Sequence, residues 1–232
     1  LCYLPELKPV RIDRQVADRS SPAILPAQLA DLAEHYSIRL GDAERVAGFD
    51  TQVIVLTPRD RMRYGHRLWA DAGTGMLIRA RTTDERGNAI ETFEFTQLQI
   101  GNVDPARLKS RYALQMRNWR VEDSAAREAN LQEAGWQMRV ALPGFRKLGE
   151  LRRNLPGTPD VGHVVYSDGL AAVSIFIEPW TARPEALTGL TRQGGVNVYT
   201  RRLAEHRITV VGETPPESVK YFANAITYKK VP

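Results

Sequence analysis

The stretch from residue 49 to residue 100 constrains the fold most, because it predicts four β-strands in direct succession. The strands are predicted over residues 49–57, 63–70, 75–83 and 89–100. Short connections rich in Asp, Gly and Asn separate them, and tight turns favour these residue types. No helical crossover intervenes, so we expect the strands to pair in sequence order as an antiparallel meander.

Apolar residues predict a cover for both faces of this meander. Val53 and Val55 point to one face of the first strand, and the residues next to them, Ile54 and Leu56, point to the other. A strand that is apolar on both sides is typical of the covered centre of a sheet. Before it, an apolar stripe at helical spacing over residues 26–36 predicts a helix that packs on one face.

The second half of the chain predicts a smaller antiparallel sheet with one C-terminal helix. Asp168-Gly169 is a strong hairpin signal between two predicted strands. Thr214 and Glu217 stand at capping-box spacing at the start of the helix. The buried stripe of that helix is predicted from four apolar residues: Val219, Phe222, Ala223 and Ile226.

The two halves are predicted to be separate domains of an α+β protein. Residues 122–134 are charged and rich in Ala, with no turn towards a core, so they are interpreted as a linker or a loose helix. The domains are therefore expected over residues 1–121 and 135–232.

The charge and its distribution favour an acidic peptide or an anionic lipid as the partner and disfavour a nucleic acid. The net charge is +5 and arginine outnumbers lysine by 26 to six. Arginine suits bidentate contacts with carboxylate or phosphate, as in an acidic peptide or an anionic lipid head group. A general preference for arginine on solvated faces explains the same count. The basic residues are spread along the chain and no aromatic RNA-binding motif is present, so no nucleic-acid partner is expected.

Catalytic and metal-binding patterns are missing from the sequence. The four histidines stand apart, and neither a GxSxG elbow nor a Walker loop is present, so we expect no enzyme and no cofactor. Cys2 is the one cysteine, which excludes a disulfide framework and a cysteine-based zinc site. The chain begins abruptly on Leu1 without an initiator Met, so we expect that a natural N-terminal part precedes it.

Several motifs, in their order and spacing, resemble the MucB/RseB family. They are Arg63-Tyr64-Gly65-His66-Arg67-Leu68-Trp69, Glu91-Thr92-Phe93-Glu94-Phe95, Leu142-Pro143-Gly144-Phe145, Tyr166-Ser167-Asp168-Gly169-Leu170 and Ile208-Thr209-Val210-Val211-Gly212-Glu213-Thr214-Pro215-Pro216. The resemblance implies a periplasmic negative regulator of the σE (AlgU-type) envelope-stress response, which includes the alginate pathway. It also implies a LolA/LolB-like antiparallel half-barrel, here without its N-terminal strands, followed by a smaller domain.

The same resemblance implies partners. A family member binds the periplasmic domain of a membrane-spanning anti-sigma factor (MucA or RseA), shields it from regulated proteolysis, and is released by lipid or lipopolysaccharide. Homo-oligomers are expected. A periplasmic lipid or lipoprotein carrier is the alternative.

Two sets of candidate residues follow from this interpretation. The basic and aromatic residues of the second half are predicted to bind the partner: Arg152, Arg153, Tyr166, Arg201 and Arg202. Apolar residues of the meander are predicted to line a lipid cavity: Val53, Val55, Trp69, Ile78, Phe93 and Phe95. Ordinary core packing explains most of these residues equally well, because alternation does not say which face is which.

Overall fold

The computed structural model describes residues 10–12, 29–108, 120–122, 126–155, 157–180 and 188–230. Antiparallel β-structure dominates these ranges, and the two α-helices found there are α1 (Leu29–His35) and α2 (Pro216–Asn224). The strands are, in chain order, β1 (Val10–Ile12), β2 (Tyr36–Val46), β3 (Phe49–Pro58), β4 (Gly65–Asp71), β5 (Leu77–Thr83), β6 (Ala89–Glu94), β7 (Arg120–Glu122), β8 (Arg127–Glu128), β9 (Trp136–Met138), β10 (Arg146–Leu155), β11 (Thr158–Ser167), β12 (Ala172–Pro179), β13 (Gly189–Gln193), β14 (Val196–Leu203), β15 (His206–Gly212) and β16 (Ile226–Tyr228).

Strands β2 to β6 form a five-stranded sheet in sequence order, which is named the N-terminal sheet here. Every neighbouring pair is antiparallel, so the predicted meander is confirmed. Strand β2, which precedes the predicted meander, has a register shift between Leu40 and Ala43. The Gln52 amide donates a 2.7 Å hydrogen bond to the Gly41 carbonyl at this shift. The last strand is shorter than predicted and ends at Glu94.

Strand β3 is covered on both faces, as its sequence predicted. One cluster joins Leu32 and Tyr36 of the α1 region to Leu56 and Leu68 of the sheet. The other cluster joins Val46, Val53, Trp69 and Ile78. Helix α1 is therefore the predicted cover of one face.

The second half contains a seven-stranded sheet in the order β13-β14-β15-β12-β11-β10-β8, named the C-terminal sheet. Helix α2 packs on one face of it, and Val219, Phe222 and Ala223 of the predicted stripe enter a core with Val164 and Val210. The fourth predicted residue, Ile226, is in the same core but lies on strand β16, because α2 ends at Asn224. Two small pairs complete the described β-structure: β16 with β9, antiparallel, and β1 with β7, parallel.

Part of the predicted linker belongs to the C-terminal sheet. Arg127–Glu128 form its edge strand β8, and Leu131 is 1% exposed in the core. A Cβ on Gly162 would lie 3.3 Å from the Leu131 side chain, so the absence of a side chain at Gly162 makes room for Leu131. A single apolar residue in a charged stretch has no periodicity, and the sequence therefore did not reveal this contact. The domain boundaries at residues 121 and 135 stay a prediction.

The predicted capping box at α2 is wrong. Pro215 is the N-cap residue and no side chain caps the helix. Thr214 is fully buried, and its hydroxyl has no hydrogen-bond partner among the described residues. Two successive prolines replace the capping box, since their rings fix a conformation that suits the first turn. The sequence also predicts a strand over residues 112–120, and this stretch lies almost wholly outside the described residues.

Candidate functional site

The four arginines predicted to bind a partner lie on opposite faces of the C-terminal sheet. Arg152 pairs with Gly162 and Arg201 pairs with Ile208, in the row that faces α2. Arg153 and Arg202 are their chain neighbours, and successive side chains of a strand point to opposite faces. The face with Arg153 and Arg202 is named the outer face. The predicted set is therefore not one surface.

Arg201 has a structural position. Its guanidinium donates hydrogen bonds of 3.0 and 2.8 Å to the Ala223 carbonyl and one of 2.8 Å to the Ile226 carbonyl. Burial lowers the pKa of Arg201. These bonds join β14 to the end of α2 and the start of β16.

Tyr166 also lies in the core and not on a surface. It is 6% exposed, and its ring centroid is 5.3 Å from that of Phe222 on α2. Burial raises the pKa of Tyr166. The third member on the α2 side, Arg152, forms a 2.7 Å ion pair with Asp160 near the sheet edge.

The outer face combines arginines with a shallow apolar depression. Arg153 Nη1 is 3.3 Å from His163 Nδ1, and the His163 ring stacks on Phe176 at 4.4 Å. Arg202 lies over the Trp180 ring at 5.3 Å and pairs with Glu205 at 3.0 Å. The depression has a volume of about 380 Å³ and is lined by Leu155, Phe176, Glu178, Thr200, Arg207, Thr209 and Val211.

Two residues of the outer face were missed by sequence reasoning. Arg207 pairs with Glu178 at 2.7 Å, and Glu178 is only 7% exposed. The signal available in the sequence was a carboxylate inside the apolar strand β12, since a buried charge is normally paired. Its partner, on β15, follows only from the strand register.

The predicted lipid-lining residues do not surround one cavity. Val53, Trp69 and Ile78 are at most 1% exposed and pack together, with Val55 against them. Phe93 pairs with Ala80, and Ala80 pairs in turn with Leu68. Phe93 therefore lies on the face of the sheet that α1 covers. It is 43% exposed, and its ring centroid lies 5.1 Å from that of Phe95. Core packing therefore explains the three fully buried members.

A cavity of about 680 Å³ lies elsewhere, at the end of the N-terminal sheet where the β3–β4 connection meets the β5–β6 hairpin. Val55 is the one predicted lining residue that borders it. Most of the other lining residues are polar or charged: Arg39, Leu56, Thr57, Pro58, Asp60, Arg61, Arg63, Gly65, His66, Arg67, Thr83, Asp84, Glu85, Arg86 and Gly87. Burial lowers the pKa of His66 to about 4, so this imidazole is neutral near pH 7.

The two sheets meet at a polar contact, named the seam, whose centre is Arg63. Arg63 Nε donates a 3.0 Å hydrogen bond to Asp168 Oδ2, and the Tyr36 hydroxyl donates one of 3.1 Å to the same oxygen. The Arg63 guanidinium also contacts Asp60 and donates to the Pro143 carbonyl. Burial, reinforced by the Asp168 charge, raises the pKa of Tyr36.

A second set of hydrogen bonds extends the seam. Asn197 Nδ2 donates to the Tyr64 hydroxyl at 2.9 Å and to the Thr214 carbonyl at 2.8 Å. The Ser218 hydroxyl at the start of α2 donates to the Met62 carbonyl. At the solvent edge, Arg146 pairs with Asp31 at 2.9 Å.

No group of three or more His, Cys, Asp or Glu side chains in the described part of the chain is arranged to hold a metal ion. None of the helices that the structure describes is long and apolar enough to cross a membrane.

Family models match both parts of the chain. The MucB/RseB N-terminal domain matches residues 1–121, and the MucB/RseB C-terminal domain matches residues 130–227. The chain belongs to the MucB/RseB family. It is 34% identical over 208 residues to the sigma factor AlgU regulatory protein MucB of Pseudomonas aeruginosa, covering 87% of this chain and 63% of that protein. It is 26% identical over 235 residues to the sigma-E factor regulatory protein RseB of Salmonella typhimurium, covering 99% of this chain and 71% of that protein.

Solved MucB structures have the same fold. MucB in complex with MucA(peri) is 30% identical with a TM-score of 0.69, over 89% of this chain and 72% of that chain. The Pseudomonas aeruginosa MucA/MucB complex is 29% identical with a TM-score of 0.70, over 93% of this chain and 74% of that chain.

The motifs that resemble the MucB/RseB family meet at the seam. Arg63 and Tyr64 come from the meander motif. The Arg63 partners Pro143 and Asp168 come from two motifs of the second half. Thr214, from a third motif, is connected to Tyr64 through Asn197, which donates to both. The seam therefore joins four of the motifs on which the resemblance rests.

Proposed function

We propose that this chain is a periplasmic negative regulator of an envelope-stress sigma factor, and that it binds the periplasmic domain of a membrane-spanning anti-sigma factor. The supporting observation is the likeness to MucB solved with MucA(peri), which extends over 89% of the chain and so over both sheets. The chain spans 63% of the length of the Pseudomonas aeruginosa relative.

Binding alone accounts for this function, and no catalytic step is part of the proposal. A regulator that covers a protease-sensitive segment protects it in proportion to the fraction of that segment that is bound. A lipid or lipopolysaccharide that favours the partner-free protein would release the segment by its differential affinity for the two states.

We propose the outer face of the C-terminal sheet as the surface for an acidic, extended segment of the partner. Its depression offers apolar contacts from Phe176 and Val211, and Arg207, paired with Glu178, lines it. Arg153 lies on the same face beside His163, and Arg202 lies there paired with Glu205. Arginine beside apolar surface is a frequent combination at protein interfaces.

Charge reversal on the outer face tests this surface. We expect the double variant Arg153→Glu/Arg202→Glu to bind the anti-sigma periplasmic domain at least about tenfold more weakly, a loss of about 1.4 kcal/mol. Isothermal titration calorimetry measures the affinity. The control, Arg45→Glu/Arg127→Glu, reverses two arginines whose side chains are 70% and 75% exposed elsewhere.

The possible results distinguish a failure of the proposed binding surface from a failure of the proposed function. Equal affinity of the outer-face variant and the wild type would reject the outer face. If the folded wild-type chain does not bind the anti-sigma domain at all, the proposed function is wrong.

A lipid or lipoprotein carrier is the second candidate, and the cavity of about 680 Å³ favours it. Ligand pockets of roughly 300–1,000 Å³ are usual, so the volume is sufficient. The lining is mostly polar or charged, which suits a polar head group better than an acyl chain. Mass spectrometry of an organic extract of the purified protein separates the candidates, since a carrier retains lipid and a regulator that binds lipid only as a signal does not.

Two further features belong to the proposal. The N-terminal sheet is proposed to be the wall of a LolA/LolB-like half-barrel, because it is one antiparallel meander with a helix packed on a face. Self-association is proposed from the family resemblance, and sedimentation velocity of the purified chain tests it.

A further inference from the structure

The two sheets have separate apolar cores among the described residues. One cluster consists of residues between 129 and 228, around α2. The clusters on the two faces of the N-terminal sheet lie between residues 32 and 98, and only Leu170 joins one of them from the second half. An interface without a shared apolar core is typical of parts that move relative to each other.

The seam between these cores contains a buried charge pair. The side chains of Arg63 and Asp168 are 0% and 1% exposed. Arg63 also lies over the Phe145 ring at 5.0 Å, so both polar and aromatic groups of the second half hold its guanidinium in place. A hydrogen-bonded guanidinium of this kind fixes the orientation of one sheet relative to the other, because its N–H donors point in set directions.

A buried ion pair opens more readily than an apolar contact of the same size. When the seam separates, water solvates both charges, and this solvation offsets much of the attraction that is lost. The closed arrangement is nevertheless specific. Gly144, at φ +83°, passes so close to the His35 ring that a Cβ there would overlap it. This close contact leaves little room for other angles between the two sheets.

The likeness to MucB solved with MucA(peri) extends over 89% of this chain and so includes residues on both sides of the seam. The seam therefore lies within the part of the chain that resembles a partner-bound protein.

We propose that Arg63, Asp168 and Tyr36 form a latch that sets the angle between the two sheets, and that partner binding selects the latched state. The second clause rests on the proposed function, whereas the first does not. Tyr36 and Arg63 act as positioning residues, since their bonds to Asp168 fix one sheet against the other and neither residue lies on the outer face.

Asp168→Asn is the selective test. Asp168 Oδ1 accepts the backbone N–H groups of Leu170 and Ala171 at 3.0 and 2.9 Å, and an asparagine oxygen preserves this hairpin. The substitution removes the charge that faces Arg63 and places an amide N–H donor opposite the N–H of Arg63 and the hydroxyl of Tyr36. The matched control is Asp50→Asn, which breaks an exposed pair with Arg45, where the side chains are 81% and 70% exposed.

The readout is the distance distribution between two nitroxide labels, measured by double electron–electron resonance. Glu85 and Lys229 are exposed and suit the labels, in a chain with Cys2→Ser. We expect one narrow distance distribution for the wild type and for Asp50→Asn. For Asp168→Asn we expect the population at other distances to be at least tenfold larger than in the wild type. Equal distributions in a folded Asp168→Asn protein would overturn the latch.

A milder variant covers the case in which Asp168→Asn does not fold. Tyr36→Phe removes one of the two donors to Asp168 Oδ2, so we expect a broadened distribution that lies between the other two. A distribution that matches the wild type would then overturn the latch.

Partner affinity tests the second clause separately. Apparent affinity falls by the fraction of molecules in the competent state, so Asp168→Asn should bind the anti-sigma domain more weakly by the fraction that has opened. A broadened distribution with unchanged affinity would reject selection of the latched state and keep the latch. If the wild type does not bind, the proposed function fails, and the distances still decide the latch.

Discussion

His163 lies on the outer face with its ring stacked on Phe176 and beside Arg153. Burial, together with the arginine charge, lowers the pKa of His163 to about 4. In an unfolded chain an imidazole has a pKa near 6.5. The folded protein therefore holds this ring neutral over a range in which the unfolded chain takes up a proton.

This difference predicts that acid destabilises the protein. As the pH falls from 6.5 towards 4, the unfolded state binds more protons and the free energy of unfolding decreases, by at most about 1.4 kcal/mol per pH unit for each such histidine. Urea unfolding at pH 7.5, 6.0 and 5.0 measures the slope. His163→Gln should reduce it, and the same slope in variant and wild type would contradict this explanation.

Asp168 shows which part of the seam was readable from the sequence. The Asp-Gly turn predicted the hairpin, and Oδ1 binds the turn backbone as such turns require. The bonds of Oδ2 to Tyr36 and Arg63 span 132 and 105 residues, and no local pattern encodes a contact at that separation. The charge pair at the centre of the seam therefore required the structure.

Strand β14 shows the same limit of sequence-based prediction at the level of a secondary-structure element. The sequence predicts this strand over residues 195–202, close to the observed Val196–Leu203. The roles of its adjacent arginines depend on which face each one occupies. Arg201 lies over the end of α2, and Arg202 lies on the outer face. Alternation predicts that the two differ, whereas only the register and the position of α2 show which one is buried.

Adjacent substitutions on β14 separate these roles. We expect Arg201→Met to lower the free energy of unfolding by about 1–3 kcal/mol, because the Ala223 and Ile226 carbonyls lose their donor. Arg202→Met breaks an exposed pair and should cost less than about 1 kcal/mol. Urea unfolding measures both values.

Partner affinity should have the opposite order once both variants are folded, with the larger loss for Arg202→Met. A stability loss for Arg202→Met equal to that of Arg201→Met would contradict these assignments.

Taken as one molecule, the described part of the chain has two large β-sheets with separate apolar clusters, joined by a polar seam. The meander and the covered strand β3 were predictable because their signals are local and periodic. The edge strand β8 and the seam were not, because each depends on contacts between distant parts of the chain. The motifs of the family resemblance come together where the sheets meet, but their order along the chain did not predict these contacts.

Protection of the partner from proteolysis tests the central claim most directly. The anti-sigma periplasmic domain is incubated with its site-1 protease and increasing amounts of this chain, and the rate of cleavage is followed. We predict that the rate falls in proportion to the bound fraction obtained from calorimetry and approaches zero at saturation. A cleavage rate that stays unchanged when the anti-sigma domain is saturated with the chain would contradict the account.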